Sequence, residues 1–144
     1  KKLVGILTEM SAQMNYIEYL VTGIGINANL REFPEELEDK ATSLQKEIGH
    51  KVNRSALIAE CMEKIEENYE IFVKTQDLSG LMAAYQEALV NQDQQVRVLE
   101  PGHEYTGVAR GINAMGELLV EKEDGTITEV YAGEVSVRGL YGYV

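Results

Sequence analysis

Lys2, Gly5, Gly23, Gly25 and Asn27 are the residues of this chain whose types and spacing could do chemistry. They lie in two apolar runs, KLVGILTE at Lys2–Glu9 and LVTGIGINAN at Leu20–Asn29. Both runs are apolar on both faces, the pattern of strands buried inside a sheet. Glycine weakens a strand, so three of them need a reason, and the usual one is close approach by a ligand or another backbone. A lysine at the mouth of one strand and an asparagine at the end of the other set a cation and an amide beside that space. A small, negatively charged molecule fits that chemistry. Two other readings stay open: Lys2 as a solvated charge at a strand end, and Gly23 and Gly25 as bulge or packing glycines. A dinucleotide fingerprint fits poorly, because Ala28 stands where its third glycine should be.

These residues need elements to position them. Lys2–Glu9 and Tyr16–Thr22 read as strands of an antiparallel hairpin, joined by the polar, turn-forming Ser11–Asn15. Phe33-Pro34 marks an extended dipeptide in the loop that follows. Ala41–Ile48 reads as a short helix stopped by Gly49. Asn53 is a good N-cap for a helix from Arg54 to about Lys74. Leu57, Ile58, Cys61, Met62, Ile65, Tyr69, Phe72 and Val73 form its apolar stripe, expected to pack in a core. Glu60, Glu63, Glu66, Glu67 and Glu70 lie outside that stripe as a solvated face. A further helix spans roughly Ser79–Val90, with Leu81, Tyr85 and Leu89 facing in. Beyond Asn91–Gln95 the period changes from helical to alternating. Turn signals at Pro101-Gly102, Asn113–Gly116 and Asp124-Gly125 separate short strands, and five strands in so short a span suggest a small barrel.

Composition narrows the class. The chain has 144 residues, 44% of them hydrophobic, enough for one modest core or two small ones. Its net charge of −11 opposes nucleic acid and anionic membrane as partners of this segment. No apolar run is long enough to span a bilayer and no signal peptide opens the chain, so a cytoplasmic location is expected. Cys61, the single cysteine, reads as a buried, inert thiol. His50 and His103 stand apart from each other and from cysteine, and no metal site is expected.

In order along the chain, KLVGIL at Lys2–Leu7, a hairpin, GIGIN at Gly23–Asn27, ATSL at Ala41–Leu44 and GEVSVRG at Gly133–Gly139 resemble the biotin–protein ligase family. The resemblance implies an α+β fold. Residues 1–92 would be the second half of a class II synthetase-like catalytic domain, a β-hairpin plus helices, and residues 93–144 a small SH3-like barrel. It also implies a fragment of a larger enzyme. The chain opens at Lys1, and the family's glycine- and arginine-rich loop has no counterpart among the single arginines Arg31, Arg54, Arg97, Arg110 and Arg138. The fragment alone is expected to be inactive.

The activity implied is activation of biotin with ATP to biotinyl-5′-AMP, then transfer to a lysine of a biotin carboxyl carrier protein or domain. Mg²⁺ would accompany ATP. By resemblance Lys2 is the catalytic lysine beside the biotin carboxyl. Gly5, Ile6, Leu7, Gly23 and Gly25 line the biotin pocket. Asn27, Glu134 and Arg138 serve the nucleotide side. The exposed hairpin edge of such a piece suggests a homodimer. Two other functions stay in view: a non-catalytic interaction module, and a relative of the lipoate–protein ligases.

Overall fold

The computed structural model describes residues 1–100, 102–131 and 136–139, the last four as backbone. It divides into two compact units, Lys1–Glu60 and Cys61–Val144.

The first unit opens with β1 (Val4–Gln13) and β2 (Tyr16–Ile26), which pair antiparallel from Val4↔Ile26 to Gln13↔Tyr16. The strands run further than the sequence suggests, leaving Met14-Asn15 as the turn and a register shift at Ser11/Ala12. Lys2 extends the pairing on the other side through a parallel bridge to Ala41. Its N–H donates to Lys40 O at 2.7 Å and its carbonyl accepts from Thr42 N at 3.0 Å. That bridge corrects the expected helix over Ala41–Ile48. Lys40 and Thr42, on either side of Ala41, take backbone partners from Lys2, so after α1 (Glu35–Glu38) the next helix, α2, spans only Leu44–Ile48. Ser43 caps α2 by accepting from Lys46 N at 3.2 Å, and Gly49 ends it in the left-handed region at φ 81°.

The hairpin is not buried as its sequence predicts. Ile6 on one face is 68% exposed and Leu7 on the other 66%. Buried residues of this unit gather instead at the hairpin's base, in Ala28, Thr42, Ser43 and Gln45.

Asn53 starts α3 (Arg54–Thr75), its Oδ1 accepting from Ser55 N and Ala56 N. The helix matches its pattern in extent but not in environment. Ile58, Met62, Ile65, Tyr69, Phe72 and Val73 are all exposed, and Cys61 is half-buried. Among the described residues the expected core packing of the stripe is formed only in part, at Leu57 and Cys61, which are half-buried.

In the second unit α4 covers Met82–Ala88, shorter than Ser79–Val90. Leu78 to Leu81 close a turn before it and Leu89 is extended after it. Tyr85 is exposed rather than inward; Leu81 and Leu89 are half-buried. Then follow β3 (Gln95–Glu100), β4 (His103–Ile112), β5 (Leu118–Glu121), β6 (Ile127–Val130) and β7 (Ser136–Gly139), in the order β6-β5-β4-β3-β7, all antiparallel. This is the small SH3-like fold read from the sequence. Val96, Val98, Ala109 and Val120 form its core, with Tyr105, Leu118 and Val130 packed against them. Gly107 permits the closest strand approach, since a Cβ there would stand 2.5 Å from Glu121 O. Arg110 joins Glu121 and Asp93, each at 2.6 Å.

Candidate functional site

The hairpin register sets the site. Gly5 pairs with Gly25 and Leu7 with Gly23, so these four share one face. Three of the four lack a side chain, which leaves a bare strip of backbone at the open end of the hairpin. Lys2 reaches across it: a Cβ on Gly5 would lie 3.7 Å from Lys2 Cε and 3.9 Å from Nζ. The Lys2 side chain therefore runs along Gly5, and the ammonium sits at the edge of the glycine strip. Among the described residues it forms no ion pair.

The bulge reading of Gly23 and Gly25 does not hold, because the register shift lies at Ser11/Ala12. Nor do they pack tightly against this chain. Added Cβ atoms would stand 3.8 Å from Leu7 O and from Gly5 O, ordinary contact distances, and neither glycine has positive φ. Among the described residues, nothing comes nearer than 3.8 Å to a Cβ added at Gly23 or Gly25. Ile6 projects to the opposite face, so only its backbone can contribute here.

Asn27 closes the strip just beyond β2. It is half-buried, and its Nδ2 donates to Thr42 O at 3.1 Å. Its backbone N–H donates to Leu3 O at 3.0 Å and its carbonyl accepts from Leu44 N at 2.9 Å. The asparagine thus joins the end of β2, the start of β1 and the entry to α2. Lys2 is held by the same segment through its bridge to Ala41. The cation and the amide that the sequence singled out are accordingly placed by one small scaffold.

Three residues of that scaffold escaped the sequence reading. Ser43, fully buried, donates from Oγ to Leu30 O. Asn29 pairs with the backbone of Val52 in both directions. Gln45 is buried beside them. The ATSL motif contained Ser43, and the Asn-x-Asn spacing contained Asn29. Nothing in the local pattern marks Gln45 as buried.

Glu134 lies outside the described residues. Arg138 is on β7 of the second unit, its backbone opposite Arg97. Lys2, Gly5, Leu7, Gly23, Gly25 and Asn27 are brought together in the first unit, and Arg138 belongs to the second.

Residues 93–138 match the family model described as biotin protein ligase C terminal domain. Along 95% of its length the chain is 32% identical to the bifunctional ligase/repressor BirA of Bacillus spizizenii. It spans 42% of that relative, and 42% of the Escherichia coli BirA, to which it is 28% identical. The apo structure of the biotin protein ligase from Aquifex aeolicus superposes with a TM-score of 0.81 at 32% identity, over 96% of this chain and 59% of that one. The same enzyme in complex with biotin and ATP gives 0.79 at 29% identity, over 96% and 56%.

Proposed function

From a sequence and fold that are those of the C-terminal region of a biotin protein ligase, we infer that the whole protein activates biotin with ATP and transfers it to a lysine of a biotin carboxyl carrier domain. The division into a catalytic half at 1–92 and a barrel at 93–144 belongs to this reading, and the family match to 93–138 supports it.

The single observation that carries it is the Lys2 side chain running along the glycine strip of β1 and β2. In the first step a biotin carboxylate oxygen bonds to the α-phosphorus of ATP. The bond to the bridging oxygen breaks, and pyrophosphate leaves. Two anions must meet, so a fixed cation between them lowers the barrier by holding them together and stabilising the charge that develops. Lys2 supplies that cation at the edge of a surface where backbone is bare. The strip gives an apolar ring system flat access to the backbone of Gly5, Ile6 and Leu7 and to Gly23 and Gly25, while a few polar groups fix its orientation. Asn27 holds the nucleotide side of the scaffold, and Glu134 and Arg138 are assigned to ATP on the barrel. Mg²⁺ accompanies ATP and neutralises its phosphates. In the second step the acceptor lysine amine forms an amide with the activated carbonyl, and AMP leaves.

This 144-residue chain alone is not expected to catalyse either step. The test is Lys2→Met in the intact enzyme, read as pyrophosphate release at saturating biotin. A loss of about 10²-fold or more is expected of a charge-stabilising donor. Near-wild-type release would sink the assignment.

A further inference from the structure

A second cationic site lies in the first unit, outside the glycine strip. Asn29, Leu30, Arg31, Glu32, Gln45 and Lys51 line an open cleft of 530 Å³. Arg31 and Lys51 are both exposed, and neither forms an ion pair among the described residues. The chain has 24 acidic residues against 13 basic ones, so two neighbouring cations without a carboxylate partner need a reason.

The Arg31 guanidinium and the backbone beside Lys51 are held in place. Gln45 is 7% exposed. With its amide oriented to satisfy both ends, it donates to Asn29 O at 3.1 Å and accepts from Arg31 Nε at 2.7 Å. Nε is thereby committed, and the two terminal nitrogens, which can grip an oxyanion as a fork, stay available. Burying an amide carries a desolvation cost that an apolar side chain would avoid. Here the amide orients a guanidinium. Next to Lys51, the backbone of Val52 is anchored from the other side. Asn29 Nδ2 donates to Val52 O at 3.0 Å, and Val52 N donates to Asn29 Oδ1 at 2.9 Å. Val52, and with it the backbone at Lys51, is thus tied to the loop that carries Arg31. Glu32 is the one carboxylate among the lining residues. The rim stays net positive, and its attraction for a ligand grows with the ligand's charge.

We propose that this cleft binds a phosphate-type oxyanion, free or carried on a nucleotide, through the Arg31 fork and the Lys51 ammonium. The site is separate from the reading of Lys2 above, since none of Lys2, Gly5, Gly23 and Gly25 lines it.

The test is calorimetric titration of this chain with pyrophosphate, inorganic phosphate and ATP at low ionic strength. Saturable pyrophosphate binding is expected, stronger than that of phosphate and weakened by added salt. Arg31→Met and Lys51→Met should each reduce the affinity about tenfold or more, as for hydrogen bonds to a charged group. Glu32→Gln should raise it. ATP binding equal to pyrophosphate identifies the phosphates alone as the recognised group, and tighter ATP binding identifies a nucleotide as its source. The substituted residues are exposed, and circular dichroism controls for folding. Two results overturn the proposal: no saturable binding at millimolar pyrophosphate, or loss of binding in Lys2→Met with none in Arg31→Met.

Discussion

In the barrel, Val96, Val98 and Val120 are at most 1% exposed, whereas in the hairpin Ile6 and Leu7, on opposite faces, stay about two-thirds exposed. Both regions are antiparallel and rich in β-branched and aliphatic residues. They differ in what the remaining chain can set against them. Strands β3 to β6 set apolar rows against each other and form a core locally. Two strands offer two faces and two edges, and a lone hairpin is marginal in water. The barrel's glycine at Gly107 is forced by its own neighbours, with Glu121 O 2.5 Å from an added Cβ. Gly25 meets nothing nearer than 3.8 Å. One region is built to be complete and the other to be covered.

The largest expected consequence of that difference is association. Exposed apolar faces and an unpaired strand edge recruit another chain. This chain should self-associate, as a two-fold dimer through the Lys2–Glu9 or Tyr16–Thr22 strand, while the barrel stays monomer-like. Light scattering over a dilution series should show mass falling towards one chain only at the lowest concentrations. A strictly monomeric species at every concentration would break the comparison.

The glycines sharpen it next. Gly107→Val drives atoms into the backbone of β5 and should cost the barrel about 3 kcal/mol, at the upper end for overpacking. Gly25→Val should cost this chain little. If the proposed function holds, the same change in the whole protein should raise the biotin Kd far more than it lowers the melting temperature. Equal loss of stability at both positions, with biotin affinity unchanged, would make Gly25 a packing glycine.

The smallest effect concerns acid. Asp93 is held below the usual carboxylate range first by its hydrogen bond from Arg110, then by Gln92. Asp124 is lowered by its hydrogen bonds from Thr126 across the β5–β6 turn. A carboxyl depressed on folding stabilises the fold above its unfolded pKa of about 3.9, and that contribution is lost as pH falls through the lower, folded value. Barrel stability should therefore drop slightly below about pH 4, and less steeply in Asp93→Asn and Asp124→Asn. Chemical denaturation across pH, followed on the barrel, reads this directly. A wild-type slope in both variants would remove these carboxylates from the account.

Much of the architecture was legible in the sequence wherever one residue settles a local question. Asn53 capped α3 because its side chain reaches the N–H groups two and three residues on. Gly49 ended α2 because it alone enters the left-handed region there at no cost. Asp124-Gly125 closed a hairpin for the same kind of reason. The Lys2, glycine and Asn27 constellation was legible because glycines misplaced in strands are conspicuous. Tertiary structure decided what depends on a distant partner. The segment at Ala41 and Thr42 left the helix because Lys2 bonds the backbone of Lys40 and Thr42 on either side of Ala41. Gln45 is buried because Asn29 and Arg31 meet its amide. Most of the α3 stripe and both faces of the hairpin carry a core pattern and stay exposed. Periodicity records which residues an element is ready to bury; whether they are buried depends on a second surface that no local pattern contains.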